Sequence, residues 1–542
     1  MDSKSYKLWS KLVSTGYFPE ELPPCFTTED MSKVIKGPKY NLEKYQQKKD
    51  DLVAPASSKL LTFSIPHIRG YRRVLGIPGP FHYTQLAKSI IECRDEISKI
   101  HALSKLSIYK DHFASDKNNR YIPKPDFKEF VEKRILKSAG YRYLLHVDIA
   151  RFYPSIYTHS IPWATHTKNE AKKDFSNNLF GNKLDIYARN CQDKQTMGLP
   201  IGPDSSRILS EIILAQVDHS LQEADLNISG IRNVDDYYLF FTSYSEAQRG
   251  RTILQNYLRE YELELNVSKE RIIELPEIVE SEWRTLIRYF KFRTKDEQQR
   301  TDLIAYFDLS FNLVRKYPDD QLLPYAIAKL RSLEISPRNS NIFQALLLNA
   351  IVLESKAVVQ VIQLLLKNNL REDGIHLNAR MLKKAFESFL LFHADHDHHY
   401  EIVWVLWFHY QTKITLSSKI CSKLNNSTND FVILMLLALE QEGLIKAELD
   451  TEAWNDLACA ENLFSEHWLL AYEGMSGQWL KSDVEIIDNK YFKDLQLSDV
   501  RFFKPTDEYK EHFLIDSPES SLAKESEEND DERNVDFSED ED

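Results

Sequence analysis

The sequence predicts two architectures in succession, a mixed α+β region over residues 1–283 and an all-α helical-repeat domain over residues 284–515. In the first region, short β-branched and aromatic runs alternate with helical patterns. In the second, apolar residues recur every three or four positions, and stacked pairs of amphipathic helices would bury such stripes. The chain has only 15 glycines and 20 prolines among 542 residues, which disfavours a turn-rich β fold.

The charge of the chain is unevenly distributed around its net value of −13. Residues 516–542 hold 13 acidic and 2 basic side chains and few apolar ones, so we expect a disordered acidic tail. Residues 31–140 hold 22 Lys or Arg against 11 Asp or Glu, which a phosphate-binding surface and an ordinary solvated surface both explain. The negative net charge therefore does not exclude nucleic acid as a partner.

Cysteine usage and hydropathy indicate the compartment. The five cysteines include no C-x-x-C pair, which disfavours a disulfide framework and a zinc ribbon or finger. The first ten residues lack the apolar segment of a secretory signal, and the longest apolar run, residues 431–439, is about half the length of a bilayer span. We therefore expect a protein of the reducing cytoplasm that enters no membrane.

Three carboxylates mark predicted strand ends in the first region. Residues 143–148 form an apolar run that ends in Asp148, while Asp235 and Asp236 stand between two apolar runs, as at the tip of a β-hairpin. If these strands are neighbours, the three acids stay ionised only with cations between them. Two Mg²⁺ ions about 3.5 to 4 Å apart serve in-line nucleotidyl transfer. The pattern favours a two-metal site over a polar turn beside an unrelated aspartate.

Further motifs accompany these acids in a fixed order. They are Phe152-Tyr153 shortly after Asp148, the loop of residues 198–206, Val234-Asp235-Asp236, and residues 265–269. In order and spacing this set resembles the palm motifs of reverse transcriptases, and residues 65–80 resemble the fingers segment of that family. The opening residues 16–24, the variant loop at 198–206 and the long helical C-terminus resemble the bacterial abortive-infection group, whose members act in phage defence. The implied fold is an α+β palm and fingers of reverse-transcriptase type, followed by the helical domain.

The resemblance implies a role for each motif residue. Tyr153 would exclude a ribose 2′-hydroxyl, and Lys269 would donate a proton or stabilise charge at the pyrophosphate. Guanidinium groups offer bidentate geometry to phosphate, and glycines let the backbone approach a nucleotide closely. The implied nucleotide-binding residues are Arg72, Arg73, Tyr153, Gly198, Pro200 and Gly202. The implied ligands of two Mg²⁺ ions, with Mn²⁺ as an alternative, are Asp148, Asp235, Asp236 and the backbone carbonyl of Ile149.

Two places depart from the pattern of template-copying members, Met197 and Gly202-Pro203, the second standing where those members carry Ser-Pro. Met197 stands where they carry a glutamine against the template nucleotide, and a thioether lacks the amide's hydrogen bonds. The abortive-infection group is associated with template-independent DNA synthesis primed from a protein hydroxyl, and Met197 agrees with that. The priming residue cannot be chosen among 27 tyrosines; Tyr40 and Tyr45, in the basic segment, are two candidates among several.

The implied function is a cytoplasmic bacterial DNA polymerase of abortive infection that uses deoxynucleoside triphosphates, assembles as a homo-oligomer and carries its DNA product covalently attached. One alternative is a conventional reverse transcriptase that copies a bound RNA. Another is a catalytically retired palm that serves as a scaffold, although such a site has no physical reason to keep three mutually repelling acids. The helical half would replace the missing thumb and join protomers.

One histidine-rich segment of the helical half is open to two interpretations. Residues 393–399 include four histidines and two aspartates, which are metal-ligand types, but a polar connector between two helices explains the same composition. The adjoining aromatic residues 400–408 are more typical of core packing than of a base-stacking platform.

Overall fold

The computed structural model describes residues 2–35, 41–45, 54–109, 113, 120–122, 127–370, 376–481 and 487–506. The predicted acidic tail and the candidate primer Tyr40 lie outside the described residues. None of the described helices combines the length and the apolar character that crossing a bilayer requires.

The first half contains six strands and a set of mostly short helices. The strands are β1 Leu61–Pro66, β2 Arg72–Ile77, β3 Tyr143–Asp148, β4 Ser229–Asn233, β5 Asp236–Phe241 and β6 Arg271–Glu274. The helices are α1 Ser3–Thr15, α2 Met31–Val34, α3 Pro80–Glu92, α4 Arg94–His101, α5 Phe127–Ser138, α6 Phe152–Ser155, α7 Ser160–His166, α8 Lys168–Lys173, α9 Phe180–Asn190, α10 Asp204–Glu223, α11 Tyr244–Glu260 and α12 Glu282–Arg288.

Strands β3 to β6 form an antiparallel sheet in the spatial order β4-β5-β3-β6. Strand β3 lies between β5 and β6, and its apolar residues Leu144, Leu145 and Val147 are buried. The long helix α10 packs against α11, and α11 packs against β3 and β5. A capping box at Ser243 and Glu246, in which each side chain bonds the other's backbone, fixes the start of α11. This sheet with its helices is the palm that the sequence predicts.

Strands β1 and β2 form a separate antiparallel hairpin. Alternate residues of β1, including Leu61, Phe63 and Ile65, are buried, as expected for a strand with one face on a core. The ring of Phe63 lies 5.2 Å from that of Phe431 and 6.4 Å from that of Tyr400. The fingers hairpin therefore packs directly on the helical half of the chain.

Among its described residues, the second half has helices and no strands, as predicted. Its helices are α13 Asp296–Lys316, α14 Leu322–Ala328, α15 Ser340–Leu353, α16 Val358–Leu370, α17 Ala379–Ala394, α18 His399–Thr412, α19 Ser418–Leu424, α20 Asp430–Gln441, α21 Glu452–Leu457, α22 Trp468–Ser476 and α23 Lys490–Leu497. Helices α13, α15, α17 and α19 form one row, α14, α16, α18 and α20 form a second, and the rows pack together as successive pairs. This two-row stack confirms the helical repeat.

The last described segment returns to the beginning of the chain. Phe26 and Phe503 form a β-bridge, and the Lys504 amide donates to the Cys25 carbonyl at 2.7 Å. The ring of Tyr17 stacks parallel to that of Trp468, with centroids 6.4 Å apart. The boundary expected between residues 283 and 284 falls inside helix α12, and buried apolar contacts continue across both halves.

Candidate active site

Three acids meet at one edge of the palm sheet. In the β3–β5 register, Asp148 stands directly opposite Asp236, and Asp235 lies in the two-residue turn that joins β4 to β5. The Ile149 amide donates to the Asp235 carbonyl at 3.3 Å, which ties the end of β3 to this turn. Directly opposed residues of antiparallel strands have Cβ atoms about 4.5 to 5.5 Å apart. The structure thus brings together the three carboxylates that the sequence singled out.

The turn itself is strained. Val234 has φ of 56°, in the left-handed region that a β-branched residue rarely occupies. Such a conformation costs on the order of 1 to 3 kcal/mol and persists only where surrounding contacts enforce it. Strained backbone of this kind clusters at functional sites.

The three carboxylates differ in their surroundings. Asp148 is buried, and its Oδ1 atom has no hydrogen-bond partner among the described residues. Burial, followed by the charges of Asp148 and Asp236, raises the pKa of the Asp235 carboxyl. Asp236 is partly exposed, with an oxygen 3.7 Å from Nε2 of His146. The site concentrates negative charge and leaves a buried carboxylate oxygen available to a cation.

The Ile149 carbonyl belongs to the same edge. Its two neighbours bond to the segment around Leu265, with which Ile149 forms a β-bridge. The Asn266 amide donates to the Asp148 carbonyl at 2.8 Å, and the Ala150 amide donates to the Glu264 carbonyl at 2.9 Å. Because these bonds alternate along an antiparallel pair, the Ile149 carbonyl points away from that segment, toward the side on which its amide meets Asp235.

This donor set fits hard divalent cations. Mg²⁺ and Mn²⁺ prefer carboxylate and carbonyl oxygens, and three carboxylates with one carbonyl at a single edge supply them. The unpartnered Oδ1 of Asp148 and the raised pKa of Asp235 both reflect negative charge that a cation would neutralise. The residues that could hold the metal are Asp148, Asp235, Asp236 and Ile149 through its carbonyl.

Lys269 lies at the same edge, ahead of β6. Its ammonium donates to Oδ2 of Asp148, and its backbone amide donates to the Asn266 carbonyl at 3.0 Å. Burial lowers the pKa of Lys269, but the bond to Asp148 and the nearby acids outweigh burial, so the net pKa is raised. Lys269 is therefore a fixed positive charge beside the acids.

Tyr153 follows Asp148 on the short helix α6. Arg151, with φ of 46°, turns the chain sharply between them. The Tyr153 hydroxyl lies beside Arg207 and Ser210 of α10, and burial raises its pKa. The Tyr153 side chain thus packs against α10. It also lies close enough to Asp235 for the charge of that carboxylate to raise the pKa of Tyr153.

The loop of residues 198–203 packs between three parts of the chain. Gly198 has φ of 88° and Gly202 has φ of 128°, and a Cβ atom on Gly202 would come within 2.8 Å of Pro19. The Leu199 amide donates to the Tyr153 carbonyl at 2.9 Å, which joins this loop to α6. The Ser206 hydroxyl donates to the Pro200 carbonyl at 2.6 Å. Both glycines are required by backbone conformation, whatever else they contact.

Arg120 holds the same loop from the outside. Its guanidinium donates to the carbonyls of Phe18 at 2.7 Å and Gly202 at 2.9 Å, and to Asp204 at 3.0 Å. The loop before α10 is thereby tied to the N-terminal segment.

The two fingers arginines point to different places. The Arg72 guanidinium forms a bidentate ion pair with the fully buried Glu401 of α18, at 2.6 and 2.9 Å. Arg73 is exposed and has no ion pair among the described residues. Burial, followed by the charges of Arg73, Lys356 and Lys269, lowers the pKa of His67. Arg73 and Lys269 thus both lie near His67, whereas Arg72 is paired with Glu401 of the helical half.

The histidine-rich connector brings His393, His398 and Glu401 together. Their potential ligand atoms lie within 4.8 Å, and the Nδ1 atoms of the two histidines are 2.8 Å apart. Both Glu401 oxygens already accept from Arg72, which favours a polar connector over a metal site. The aromatic residues that follow are buried, so core packing is confirmed for them.

Sequence reasoning missed residues that act through others. Arg207 contacts Tyr153, and the buried Arg232 contacts the Val234 carbonyl at 2.9 Å. A signal for Arg207 was its position three residues into a helix that begins beside the family motif. The candidate primer Tyr45 is buried and donates to Asp494 at 2.7 Å, which makes it a poor priming hydroxyl.

One family of known proteins matches the part of the chain that holds this site. Residues 84–299 match the family described as reverse transcriptase (RNA-dependent DNA polymerase). No curated protein sequence matches the chain. Among solved structures, apo telomerase from Candida tropicalis is 12% identical with a TM-score of 0.30, over 72% of this chain and 68% of that one. Telomerase from Candida albicans with a fragment of telomeric RNA is 14% identical with a TM-score of 0.27, over 70% and 62%.

The family match begins after the fingers hairpin and ends inside α13. It confirms the predicted reverse-transcriptase type of fold over residues 84–299, which include Asp148, Asp235, Asp236 and Lys269. The more specific resemblance to the abortive-infection group stays a prediction.

Proposed function

We propose that this chain, whose residues 84–299 belong to the reverse transcriptase family, is a DNA polymerase that adds deoxynucleotides to a 3′-hydroxyl with the help of divalent cations. The observation that carries the proposal is the meeting of Asp148, Asp235 and Asp236 at one edge of the palm sheet. These acids would hold two Mg²⁺ ions, which supply activation of the attacking oxygen and charge neutralisation at the leaving pyrophosphate.

The protein's own side chains would bind and orient the nucleotide. Arg73 and Lys269, which both lie near His67, would contact the triphosphate, and Lys269 would transfer a proton to the departing pyrophosphate. The Tyr153 ring, braced by Arg207, would block a 2′-hydroxyl. Arg72 is not part of this set, because its guanidinium is engaged by Glu401.

We further propose that synthesis is template-independent and primed by a protein hydroxyl. Met197 supports this, since its side chain is 55% exposed beside the site and offers no hydrogen-bond donor to a template base. The priming residue would be an exposed hydroxyl, which disfavours Tyr45.

A conventional RNA-templated reverse transcriptase is the second candidate. The match of residues 84–299 to a family of RNA-dependent DNA polymerases favours it. The two candidates share the catalytic acids and differ in what directs nucleotide choice and in what supplies the primer hydroxyl.

The biological setting follows from the resemblance of residues 16–24, the loop at 198–206 and the helical half. We propose that the enzyme acts in anti-phage abortive infection in a bacterial cytoplasm, as a homo-oligomer. A retired palm serving as a scaffold is disfavoured, since the buried Asp148 and the half-buried Asp235 would repel each other in a metal-free fold, for which a scaffold has no use.

A single assay separates these candidates. The purified full-length protein is incubated with labelled deoxynucleotides and Mg²⁺, with and without a primed RNA template, and the product is run on a denaturing gel before and after protease. Template-free label that migrates with protein until protease treatment supports protein-primed synthesis. Label that appears only with the RNA template supports the second candidate, and no label under either condition, with Mn²⁺ also tried, refutes the polymerase proposal.

A further inference from the structure

Arg232 is a fully buried arginine two residues before the strained turn at Val234. A guanidinium has five N–H donors, and those of Arg232 are all engaged. Its Nη atoms donate to both carboxylate oxygens of Glu211 at 2.7 and 3.0 Å, and Nε and Nη2 donate to Asp218 at 2.8 and 2.7 Å. The remaining Nη1 donor reaches the Val234 carbonyl at 2.9 Å.

The two acids that bind Arg232 lie on one face of helix α10. Glu211 and Asp218 are seven residues apart on α10, so they lie two turns apart on the same side, and both are buried. The Ser104 hydroxyl also donates to Asp218 at 2.5 Å. The backbone of Arg232 is held as well, since its amide donates to the Leu106 carbonyl at 2.7 Å.

Arg232, held by Glu211 and Asp218, acts on the peptide that joins Val234 to Asp235. The carbonyl of Val234 belongs to the peptide bond whose nitrogen is that of Asp235. A hydrogen bond to that carbonyl therefore fixes the plane of the peptide and with it the direction of the Asp235 side chain. A β-branched residue would otherwise leave the left-handed conformation, and the turn would reorient Asp235 away from Asp148.

We propose that Arg232, clamped between Glu211 and Asp218, is a positioning residue that holds the Val234–Asp235 peptide in its strained conformation and so sets the distance between the metal-binding acids. Arg232 touches neither nucleotide nor metal. The inference rests on the proposed polymerase function for its consequence in catalysis, but the geometry of cation binding tests it independently.

The experiment compares Arg232→Lys and Glu211→Gln with the parent protein. Lysine cannot span both acids and the carbonyl, and glutamine removes the charge that anchors the guanidinium. Arg288→Lys is the matched control, because Arg288 forms a bidentate pair with Glu280 at 2.7 and 3.1 Å that does not touch the turn. Circular dichroism and thermal unfolding confirm that each variant is folded.

Two quantities are measured on the full chain. Binding of Mn²⁺, without nucleotide, is followed by the electron paramagnetic resonance of the free ion, and we expect it to weaken about ten-fold in Arg232→Lys. The kcat for nucleotide incorporation should fall about 100-fold while KM for the nucleotide stays within about two-fold, because a displacement of about 1 Å at a reacting group has this effect. Arg288→Lys should match the parent in both.

A rescue by glycine distinguishes positioning from general damage to the core. Glycine adopts a positive φ without a stabilising contact. The double variant Arg232→Lys/Val234→Gly should therefore recover part of the Mn²⁺ binding that Arg232→Lys alone loses. If Arg232→Lys does not fold, the same comparison is made with Glu211→Gln. Wild-type Mn²⁺ binding in a folded Arg232 or Glu211 variant, or a loss that Val234→Gly does not reduce, overturns the inference.

The outcomes also separate this inference from the proposed function. A parent protein that binds Mn²⁺ but incorporates no nucleotide refutes the polymerase proposal, and the Mn²⁺ data still decide the role of Arg232. A parent protein that polymerises, with variants that bind Mn²⁺ normally, refutes the positioning role alone.

Discussion

Asp235 combines burial with two negatively charged neighbours, and both raise its pKa in the folded protein. A raised folded-state pKa means that the folded chain keeps this proton to higher pH than the unfolded chain does. Its contribution to stability is therefore full below the ordinary Asp pKa of about 3.9 and is lost as pH rises through the raised value. In metal-free protein, the ionised site should destabilise the fold at neutral pH.

We therefore predict that Asp235→Asn raises the melting temperature of metal-free protein at pH 8 and does so less at pH 5. The measurement is thermal unfolding in EDTA at both pH values. Asp225→Asn, which changes a fully exposed carboxylate, is the control and should shift neither value. A lower melting temperature for Asp235→Asn at pH 8 would show that the acids do not repel one another in the fold.

Tyr153 is predicted to select the sugar through its ring. Tyr153→Ala should lower the ratio of deoxynucleotide to ribonucleotide incorporation about ten-fold or more, because the ring no longer excludes a 2′-hydroxyl. Tyr153→Phe keeps the ring and should keep the ratio, although it loses the hydroxyl that lies beside Arg207 and Ser210. Equal ratios for the alanine variant and the parent would assign Tyr153 to the core alone.

At the residue scale, the sequence was sufficient to place the site residues that belong to the ordered set of palm motifs. Asp148, Asp235, Asp236 and Lys269 stand at strand ends that local apolar runs reveal, and they converge as predicted. Arg72 could not be placed, because its partner Glu401 is 329 residues away and no local pattern records the pair.

At the scale of elements, the fingers hairpin is joined to helix α18 by the Arg72–Glu401 pair, which lies beside the packing of Phe63 on Tyr400. Removing one partner of a buried ion pair leaves the other charge uncompensated, whereas replacing both with apolar groups removes the desolvation cost. The pair therefore holds two elements together rather than binding a ligand.

We predict that Glu401→Ala lowers the free energy of unfolding by about 3 to 5 kcal/mol and that the double variant Arg72→Met/Glu401→Leu recovers most of it. Denaturant unfolding measures both. In the double variant, KM for the nucleotide should stay within about two-fold of the parent value, while Arg73→Met should raise it about ten-fold. A raised KM in the double variant alone would return Arg72 to the nucleotide site.

The elements themselves were partly readable from the sequence. The alternation of apolar runs around Asp235-Asp236 predicted the β4–β5 hairpin, and the three-to-four periodicity after residue 284 predicted the helices. Periodicity does not encode contacts between segments that are distant in sequence. It therefore could not predict the two rows of the helical stack or the packing of β1 on α18.

At the scale of the whole molecule, residues 17–27 near the N-terminus pack against residues 468–503 near the C-terminus. Tyr17 and Phe26 pack on Trp468 and Phe503, and the Thr27 amide donates to the Phe502 carbonyl at 2.9 Å. Because these contacts bury apolar residues of the N-terminal segment, we expect the palm and fingers to depend on the helical half for folding.

We predict that residues 1–283 expressed alone do not fold cooperatively, because Tyr17, Phe26 and the fingers hairpin lose the apolar residues that cover them. Residues 1–506 should fold and polymerise as the full chain does, since the described contacts extend to Thr506, whose carbonyl accepts from Gln411 at 3.0 Å. Circular dichroism, thermal unfolding and light scattering compare the two. A cooperative, monomeric and active 1–283 fragment would show that the halves are independent.

The central claim is that Asp148, Asp235 and Asp236 form a cation-dependent nucleotidyl-transfer site, and the most direct test is the rate of deoxynucleotide incorporation by Asp148→Asn and Asp235→Asn in Mg²⁺. Each variant should remain folded and lose at least about three powers of ten in rate, because a lost metal ligand removes several kcal/mol of transition-state stabilisation. Asp225→Asn should keep the parent rate. Parent-level incorporation by either active-site variant, or by the parent protein in EDTA, would contradict the account.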